Sequence, residues 1–235
     1  MENHAWIFLS PHLDDVALSC GGLVWDLTQK GHTVAIWTLI AGIPIDEVYS
    51  PLAEAIHFDW GLSGAAAFRA RREEDRAACT VMGAELRHFD WLDAIYRRDT
   101  QTGEPIVPDL EALFSGPPEA DLVEDIVANL REELPEGSQL VFPIGLGGHI
   151  DHQAVVRAGE RVGSRVAHYY ADYPYIIENF DSPSFAENQW KTVPHTLGQD
   201  ALEAWCEAVL CYRSQLSGFW RDDAETRLAL RNYLA

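Results

Sequence analysis

The sequence predicts an α/β fold, with a Rossmann-like, mostly parallel sheet and helices on both faces. Short continuous apolar runs, typical of strands buried on both faces, occur at 5–9, 33–40 and 139–144. Stretches with helical periodicity follow them in alternation, which is the pattern of a parallel sheet with crossover helices. The chain has 235 residues, of which 47% are hydrophobic, and this length suits one core. We therefore expect a single domain over 1–235.

The first half of the chain predicts three strands and two helices. In chain order these are a strand at 5–9, a helix at 16–30 ended by Gly31, a strand at 33–40, a helix at 68–83 and a strand at 85–91. Residues 41–66 show no clear periodicity and contain several glycines and prolines. A connection of this length is usually functional, so we expect it to form a wall or lid of a cleft.

The second half begins with another irregular segment, 93–120. The elements predicted after it are a helix at 121–134, a strand at 139–144, a helix that opens near Asp151, a strand at 166–171 and an amphipathic helix at 202–216. Tyr96 and Arg97, in the irregular segment, are candidates for a substrate-binding rim. The alternative for them is an exposed charged surface.

The first candidate site lies between the first strand and the first helix, at Ser10-Pro11-His12-Leu13-Asp14-Asp15. Open α/β sheets bind their ligands at the carboxyl ends of the strands. One imidazole and two carboxylates in this turn provide ligands for a divalent metal and leave a group that can act as a base. The alternative for the aspartates is a helix N-cap.

A second cluster of the same kind follows the strand at 139–144. It reads Gly145-Leu146-Gly147-Gly148-His149-Ile150-Asp151-His152. Two His/Asp clusters at two strand ends can converge on one ion across the edge of a parallel sheet. A site with two histidines and one carboxylate leaves a position for water, as catalytic zinc sites do. The alternative is a pair of unrelated helix N-caps.

These motifs resemble those of the PIG-L / LmbE-like zinc-dependent N-deacetylases. The two main marks are Pro11-His12-Leu13-Asp14-Asp15 and His149-Ile150-Asp151-His152, and the two weaker ones are Arg71-Arg72-Glu73-Glu74 with Ala78 and Met82-Gly83, and Leu210-Cys211-Tyr212-Arg213-Ser214-Gln215. The resemblance spans 5–216. It departs at Leu13, where the family often has Pro, and at Val16, where it often has Glu. It implies an LmbE-like fold and removal of an N-acetyl or other N-acyl group from an amino sugar or glycoconjugate.

The resemblance also implies which residues hold the metal. His12, Asp15 and His152 would bind one Zn²⁺ per chain, and other divalent metals can substitute for it. Metal-activated water would attack the acetamide. Asp14 would take the proton of that water as general base and, once protonated, deliver a proton to the leaving amine.

Three further residues receive roles from the same resemblance. His149, in its protonated form, is expected to stabilise the developing oxyanion. Asp151 is expected to hydrogen-bond His149 or a ligand histidine. Arg71 is expected to reach a substrate hydroxyl or phosphate, and the alternative for it is an ion pair with Glu74 on the same helix face.

Composition excludes several classes of partner. The formal net charge of −20 disfavours nucleic acids and anionic membranes, because both need a basic surface. No window approaches the roughly 18 apolar residues of a membrane-spanning helix. The four cysteines lack C-x-x-C spacing, which is typical of reduced thiols, so we expect a cytoplasmic location. A homo-oligomer remains open.

Two other functions stay open at this point. One is a metal-dependent esterase or amidase that acts on a non-sugar acyl compound. The other is a non-catalytic, Rossmann-like nucleotide-binding protein, although no G-x-G-x-x-G follows the first strand and Gly21-Gly22 falls inside the helix pattern. We expect 41–66 and 93–120 to determine which acyl compound is bound.

Overall fold

The computed structural model describes residues 5–162, 167–179, 191 and 193–233, and a five-stranded parallel sheet lies at its centre. The strands are β1 (Ala5–Ser10), β2 (Thr33–Thr38), β3 (Glu85–His88), β4 (Gln139–Pro143) and β5 (Ala167–Tyr170), in the spatial order β3-β2-β1-β4-β5. Each neighbouring pair in this order is parallel. The chain runs outward from β1 to β3 and returns to place β4 on the other side of β1. The strand order therefore reverses between β1 and β4, where sheets of this kind bind ligands.

Ten helices in the described residues surround this sheet. They are α1 (Asp15–Gln29), α2 (Pro51–Trp60), α3 (Gly64–Met82), α4 (Leu110–Ser115), α5 (Ala120–Glu133), α6 (Ile150–Val162), α7 (Tyr175–Asn179), α8 (Gln199–Val209), α9 (Arg213–Leu216) and α10 (Asp223–Tyr233), with 3₁₀ turns at Ala94–Tyr96 and Leu146–Gly148. Within the described ranges, none of them is both long and apolar enough to span a bilayer.

The sheet is buried on both faces because alternate side chains of each strand pack against different helices. Ile7 and Leu9 of β1 lie in a core with residues of α5 and α6, whereas Phe8 lies in a second core with residues of α1, α3 and α8. This alternation follows from the two-residue repeat of a β-strand. The predicted α/β fold, with a parallel sheet and helices on both faces, is confirmed.

The two segments predicted to be irregular contain short helices. The Ser50 hydroxyl accepts a hydrogen bond from the Ala53 amide and caps α2, and Pro51 stands at the first helical position. The carboxylate of Asp109 caps α4 by accepting from the Ala112 amide. Both capping signals are local, and the prediction overlooked them because neither helix shows a clear apolar period.

The last predicted helix, 202–216, is divided in the structure. α8 ends at Val209 and α9 begins at Arg213. The Glu74 carboxylate accepts hydrogen bonds from the amide and the hydroxyl of Ser214, and these contacts hold the start of α9 against α3. The prediction of a continuous helix was therefore wrong. The break is stabilised by the carboxylate of Glu74, which is 140 residues from Ser214 in the sequence.

A small separate core covers the carboxyl edge of the sheet. It consists of Ala53, Ala94, Ile95, Val107, Leu113 and Ile150, all buried. These side chains come from both segments 41–66 and 93–120 and from the first turn of α6. The two segments are thereby packed together above the switch point, where a wall or lid of a cleft was predicted for 41–66.

Candidate active site

The turn between β1 and α1 is held by its own hydrogen bonds. The Ser10 hydroxyl donates to the His12 carbonyl (2.6 Å), and the His12 amide donates to Oδ2 of Asp15 (2.7 Å). Asp14 has a φ of 151°, a backbone region that favours glycine. Strained backbone of this kind is concentrated at functional sites. The turn thus places its imidazole and two carboxylates in a fixed order at the end of β1.

Nitrogen atoms of two predicted metal ligands, His12 and His152, lie close to a carboxylate oxygen of the third, Asp15. Oδ2 of Asp15 lies 3.4 Å from Nδ1 of His12 and 3.3 Å from Nε2 of His152, and all three residues are buried. His152 reaches this point from the first turn of α6, after β4. Ligand atoms at about 2.0–2.1 Å from a tetrahedral zinc ion lie roughly 3.3 Å from one another. These two distances fit a divalent metal ion. A ligand atom from each of His12, His149 and His152 also lies within 4.8 Å of the other two, so His149 belongs to a second possible set of ligands.

Two further carboxylates contact the histidines that are predicted to bind the metal. Oδ1 of Asp172 lies 2.7 Å from Nδ1 of His152, and its Oδ2 accepts hydrogen bonds from the amides of Gly145 and Leu146. Oδ2 of Asp151 lies 3.0 Å from Nε2 of His12. Carboxylates in these positions fix the tautomer and the direction of a metal-binding imidazole. Asp151 thus contacts the ligand histidine, which was one of the two contacts expected for it.

The charges of these groups depend on one another. Burial alone would lower the pKa of His152, but Asp15 and then Asp172 raise it to about 10. Burial alone would raise the pKa of Asp15, but His152 and His12 hold it well below its usual range. The cluster therefore brings together negative carboxylates that require positive charge between them. Protonated His12 and His152 meet this requirement, and a divalent cation bound between the same groups would meet it equally.

Arg97 does not line the cavity above the predicted metal ligands. It contacts Asp151, which in turn contacts His12. Its Nη1 is 2.7 Å from Oδ1 of Asp151, and its Nε and Nη2 donate to the Glu119 carboxylate. The side chain is only 12% exposed, and it lines a second cavity together with Tyr96. Arg97 was predicted to bind substrate; in the structure it supports Asp151, and through it His12.

Tyr96 also lies away from this cavity. Its hydroxyl is 2.6 Å from Nε2 of His57, and its ring packs on Phe68. The residue lines a different cavity, next to Arg98 and Ile106. Its placement at the substrate rim was therefore wrong. The aromatic cluster around His57 fixes its ring.

Asp14 lines the cavity, but its carboxylate is not one of the groups of His12, Asp15 and His152 that lie close together. Burial raises its pKa to about 7, against the opposing charge of Arg71, whose Nη2 lies 3.7 Å from Oδ2 of Asp14. The guanidinium of Arg71 is buried and lies 4.9 Å from the centre of the Trp60 ring. Glu74 is bound to Ser214, so the ion pair that was the alternative for Arg71 is absent. Asp14 is a carboxylate held beside the ligands, with a cation as its neighbour.

His149 lies directly before α6, and its ring contacts Asp151 and Phe114. Its Nδ1 accepts a hydrogen bond from the Asp151 amide (3.2 Å), and its ring meets that of Phe114 edge to face, with the centres 5.3 Å apart. Burial and then the charge of His12 hold the pKa of His149 well below its usual value. The hydrogen bond from the Asp151 amide makes Nδ1 an acceptor, which leaves Nε2 as the nitrogen that carries a proton. This contact and the lowered pKa favour the neutral ring over the protonated form that was expected.

One cavity of about 310 Å³ is lined by six of the residues described above, namely His12, Asp14, Asp15, Arg71, His149 and His152. Asp93 lines it as well, with Oδ2 3.8 Å from Nε2 of His12. Asp93 was not predicted as a site residue, and Asp172 was expected only at a possible edge of the pocket, in the stretch 172–175, with no role in the site, although each follows a strand of the sheet. The strand-end argument that selected the first two clusters would have selected Asp172 too, since β5 ends at Tyr170.

Comparison with known protein families gives the relationship of this chain. The model of the PIG-L family, GlcNAc-PI de-N-acetylase, matches residues 7–162, which include both His/Asp clusters. The chain belongs to the PIG-L family. The resemblance seen in the two sequence motifs is thereby confirmed.

Two relatives share substantial parts of the sequence. A 2′-N-acetylparomamine deacetylase of Niallia circulans is 28% identical over 97% of this chain and 86% of its own length. A 2′-N-acetylparomamine deacetylase of Streptomyces fradiae is 33% identical over 72% of this chain and 57% of its own length.

Three solved structures superpose on most of the chain. The zinc-inhibited form of teicoplanin deacetylase is 26% identical, with a TM-score of 0.76 over 93% of this chain and 87% of that one. The deacetylase of the A40926 pseudoaglycone is 27% identical, with a TM-score of 0.66 over 92% and 84%. The 4-carboxy-2-hydroxymuconate hydratase of Pseudomonas putida, 18% identical with a TM-score of 0.57 over 97% and 84%, shares the fold. The side chains of the site, and not the fold, must therefore carry any assignment of a reaction.

Proposed function

We propose that this PIG-L family member is a zinc-dependent N-deacetylase that removes the acetyl group of an acetylated amino sugar or glycoconjugate. The observation that carries the proposal is the convergence of His12 and His152 on Asp15, beside a carboxylate, Asp14, that binds neither histidine. The names of the relatives support it, since they are deacetylases of acetylparomamine, of teicoplanin and of the A40926 pseudoaglycone.

In this proposal His12, Asp15 and His152 hold the zinc ion. When bound, the ion supplies Lewis-acid activation of water and of the acetamide carbonyl. Asp14 accepts the proton that the attacking water loses. Asp14 then donates a proton to the nitrogen of the leaving amine, so that acetate and the free amino sugar are released.

His149 and Arg71 have different tasks. The Nε2–H of His149 donates a hydrogen bond to the oxygen of the tetrahedral adduct, which carries more negative charge than the acetamide oxygen did. Arg71 holds the Asp14 carboxylate at the edge of the cavity and is placed to meet a substrate hydroxyl.

The metal assignment makes a direct prediction. Purified protein should contain about one zinc ion per chain, as expected for a site with three protein ligands. Removal of the metal with a chelator should abolish acetate release from N-acetylglucosamine derivatives, and added Zn²⁺ or Co²⁺ should restore it. Elemental analysis and an acetate assay are the measurements. Full activity in metal-free protein would contradict the proposal.

Asp172 offers a second test of the same site. Asp172→Asn should weaken zinc binding by about 10–100-fold, because the carboxylate that orients His152 is lost. Competition with a chromophoric chelator measures this affinity. Asp90→Asn is the matched control, since Asp90 is an exposed carboxylate that pairs with Arg72 away from the cavity. Equal zinc affinities in the two variants would show that Asp172 does not act through the metal site.

We further propose that 1–235 forms one domain and that the protein is cytoplasmic. All four cysteines, Cys20, Cys79, Cys206 and Cys211, are free thiols, as is usual in a reducing compartment. The partner proposed is a small acetylated sugar compound. A homo-oligomer stays a prediction.

A further inference from the structure

Gln215 is the one residue with a side-chain amide among the described residues that line the cavity above the predicted metal ligands. It is partly buried and lies in α9, and the proposed deacetylation does not use it. In the sequence it ends the stretch 210–215, one of the two weaker marks of the family. An amide donates and accepts hydrogen bonds without carrying a charge, so Gln215 differs from the ionisable groups around it.

A chain of hydrogen bonds holds the amide of Gln215 in one orientation. The Ser214 hydroxyl lies 2.6 Å from Oε2 of Glu74, and an ionised carboxylate only accepts, so the hydroxyl donates its single proton to Glu74. The hydroxyl oxygen is then an acceptor for Gln215, which lies 3.0 Å away and must present Nε2 to it. Oε1 and the second proton of Nε2 have no hydrogen-bond partner among the described residues. They are the groups that Gln215 can offer to a ligand.

Helix α3 fixes the segment that carries this amide. The Glu74 carboxylate also accepts a hydrogen bond from the backbone amide of Ser214 (2.8 Å). The next residue of α3, the buried Asp75, accepts a hydrogen bond from the hydroxyl of Tyr212 (2.6 Å). Two successive carboxylates of one helix thus bind residues 212 and 214. Gln215 therefore reaches the cavity from a backbone that is held in place.

A sugar ring that enters the cavity loses water at its hydroxyls. A hydroxyl that is buried without a partner is costly, so the lining must provide donors and acceptors. Five lining residues are engaged with the metal or the acetamide in the proposed mechanism, namely His12, Asp14, Asp15, His149 and His152. Of the side chains that remain, Arg71 can only donate, the carboxylate of Asp93 can only accept, and the amide of Gln215 can do both.

We propose that Gln215 determines specificity for the sugar, because its Oε1 accepts a hydrogen bond from a ring hydroxyl of the substrate. This inference rests on the proposed deacetylase function and deepens it. It assigns the recognition of the sugar to a residue outside the two His/Asp clusters. Gln215 contacts the substrate and takes no part in proton transfer, so its loss weakens recognition of the sugar and leaves the metal in place.

The test removes the hydrogen bond from the protein and from the substrate in turn. Met has about the length of Gln but forms no strong hydrogen bond. Gln215→Met should therefore lower kcat/KM for methyl N-acetyl-β-glucosaminide about three- to tenfold, the range of one hydrogen bond. Three analogues lack the hydroxyl at C3, C4 or C6. The wild type should lose a similar factor on at least one of them, and Gln215→Met should lose nothing further on that analogue.

Gln199→Met is the matched control. Gln199 lies on α8, where its Nε2 donates to Oε1 of Glu203 (2.9 Å), and it does not line the cavity. This variant should match the wild type on all of these substrates. If Gln215→Met and the wild type lose the same factor on every analogue, the hydroxyls are bound by other groups and the inference is refuted. Loss of zinc from Gln215→Met would place its role in the metal site and refute it as well.

A pair of substitutions tests the direction of the hydrogen-bonded chain. Gln215→Glu leaves two carboxylates at Ser214 and one hydroxyl proton for both, so the side chain at 215 loses its anchor and kcat/KM should fall about tenfold. Adding Glu74→Gln places an amide at the other end, which donates to the Ser214 oxygen while the hydroxyl donates to the carboxylate at 215. The double variant should recover part of the loss. A double variant no more active than Gln215→Glu would overturn the assigned orientation.

A binding measurement separates this inference from the deacetylase proposal. Methyl β-glucoside, which has no acetamide, should bind to Gln215→Met about three- to tenfold more weakly than to the wild type, as followed by NMR titration. Acetate release with no dependence of sugar recognition on Gln215 refutes the inference and leaves the deacetylase. Binding of the glucoside that depends on Gln215, without acetate release from any substrate, refutes the deacetylase and leaves Gln215 as a sugar-binding residue.

Discussion

Asp14→Asn is expected to keep the metal and lower kcat by about 10²–10⁴-fold, the usual effect of losing a general base. Asp14 is the carboxylate that lines the cavity without joining the convergence of His12, His152 and Asp15. Asn has the same size and shape as Asp, so the substitution adds no new steric conflict in the turn. Stopped-time acetate assays and elemental analysis of the same preparation give both quantities.

Asp15→Asn is the control for this result. Because Oδ2 of Asp15 lies within 3.4 Å of a nitrogen of each ligand histidine, its loss should remove both metal and activity. The neighbouring aspartates thus predict opposite metal contents and similar losses of turnover. Near-wild-type activity in metal-loaded Asp14→Asn would mean that a different group accepts the proton. Full zinc content in Asp15→Asn would place the ion elsewhere.

The sheet could be predicted because its signals are local. Strands such as β1 and β4 are short continuous apolar runs, and the helices between them have clear periods, so the order of elements follows from the sequence alone. α2 and α4 are short and depend on caps, Ser50 and Asp109, more than on an apolar face. Their position depends on burial of Ala53 and Leu113 in a core formed from distant segments, which no local pattern reveals.

The convergent residues of the site could be predicted for the same reason. His12, Asp15 and His152 lie at strand ends, and the sheet order brings β1 and β4 side by side. Arg97 could not be assigned correctly, because its role depends on Asp151 and Glu119, which reach it only after folding. An arginine in an irregular segment gives no sign of whether its charge is free for a ligand or already paired.

His149→Ala is expected to leave the metal content unchanged and to lower kcat by roughly 10²–10³-fold, with little effect on KM. Its Nδ1 is already engaged by the Asp151 amide, so Nε2–H is the group left to meet the developing oxyanion. The hydrogen bond from Nε2–H is stronger in the transition state than in the complex with the neutral acetamide. Loss of this hydrogen bond therefore lowers kcat. Steady-state kinetics on N-acetylglucosamine derivatives, with metal analysis, test it.

His149→Gln distinguishes a neutral donor from a cationic one. The side-chain amide of Gln reaches about as far as Nε2 and donates without a positive charge, so it should recover part of the activity lost in His149→Ala. A cationic donor would lose its proton, and the enzyme its activity, as pH rises through the pKa of the ring. The pKa of His149 is instead lowered by burial, so the ring is neutral and keeps its Nε2 proton as the pH rises. The alkaline side of the kcat profile should therefore be the same in the wild type and in His149→Gln. An imidazolium would be shown to perform this step by two results together. The kcat of the wild type would fall at alkaline pH while that of His149→Gln does not, and His149→Gln would be no more active than His149→Ala.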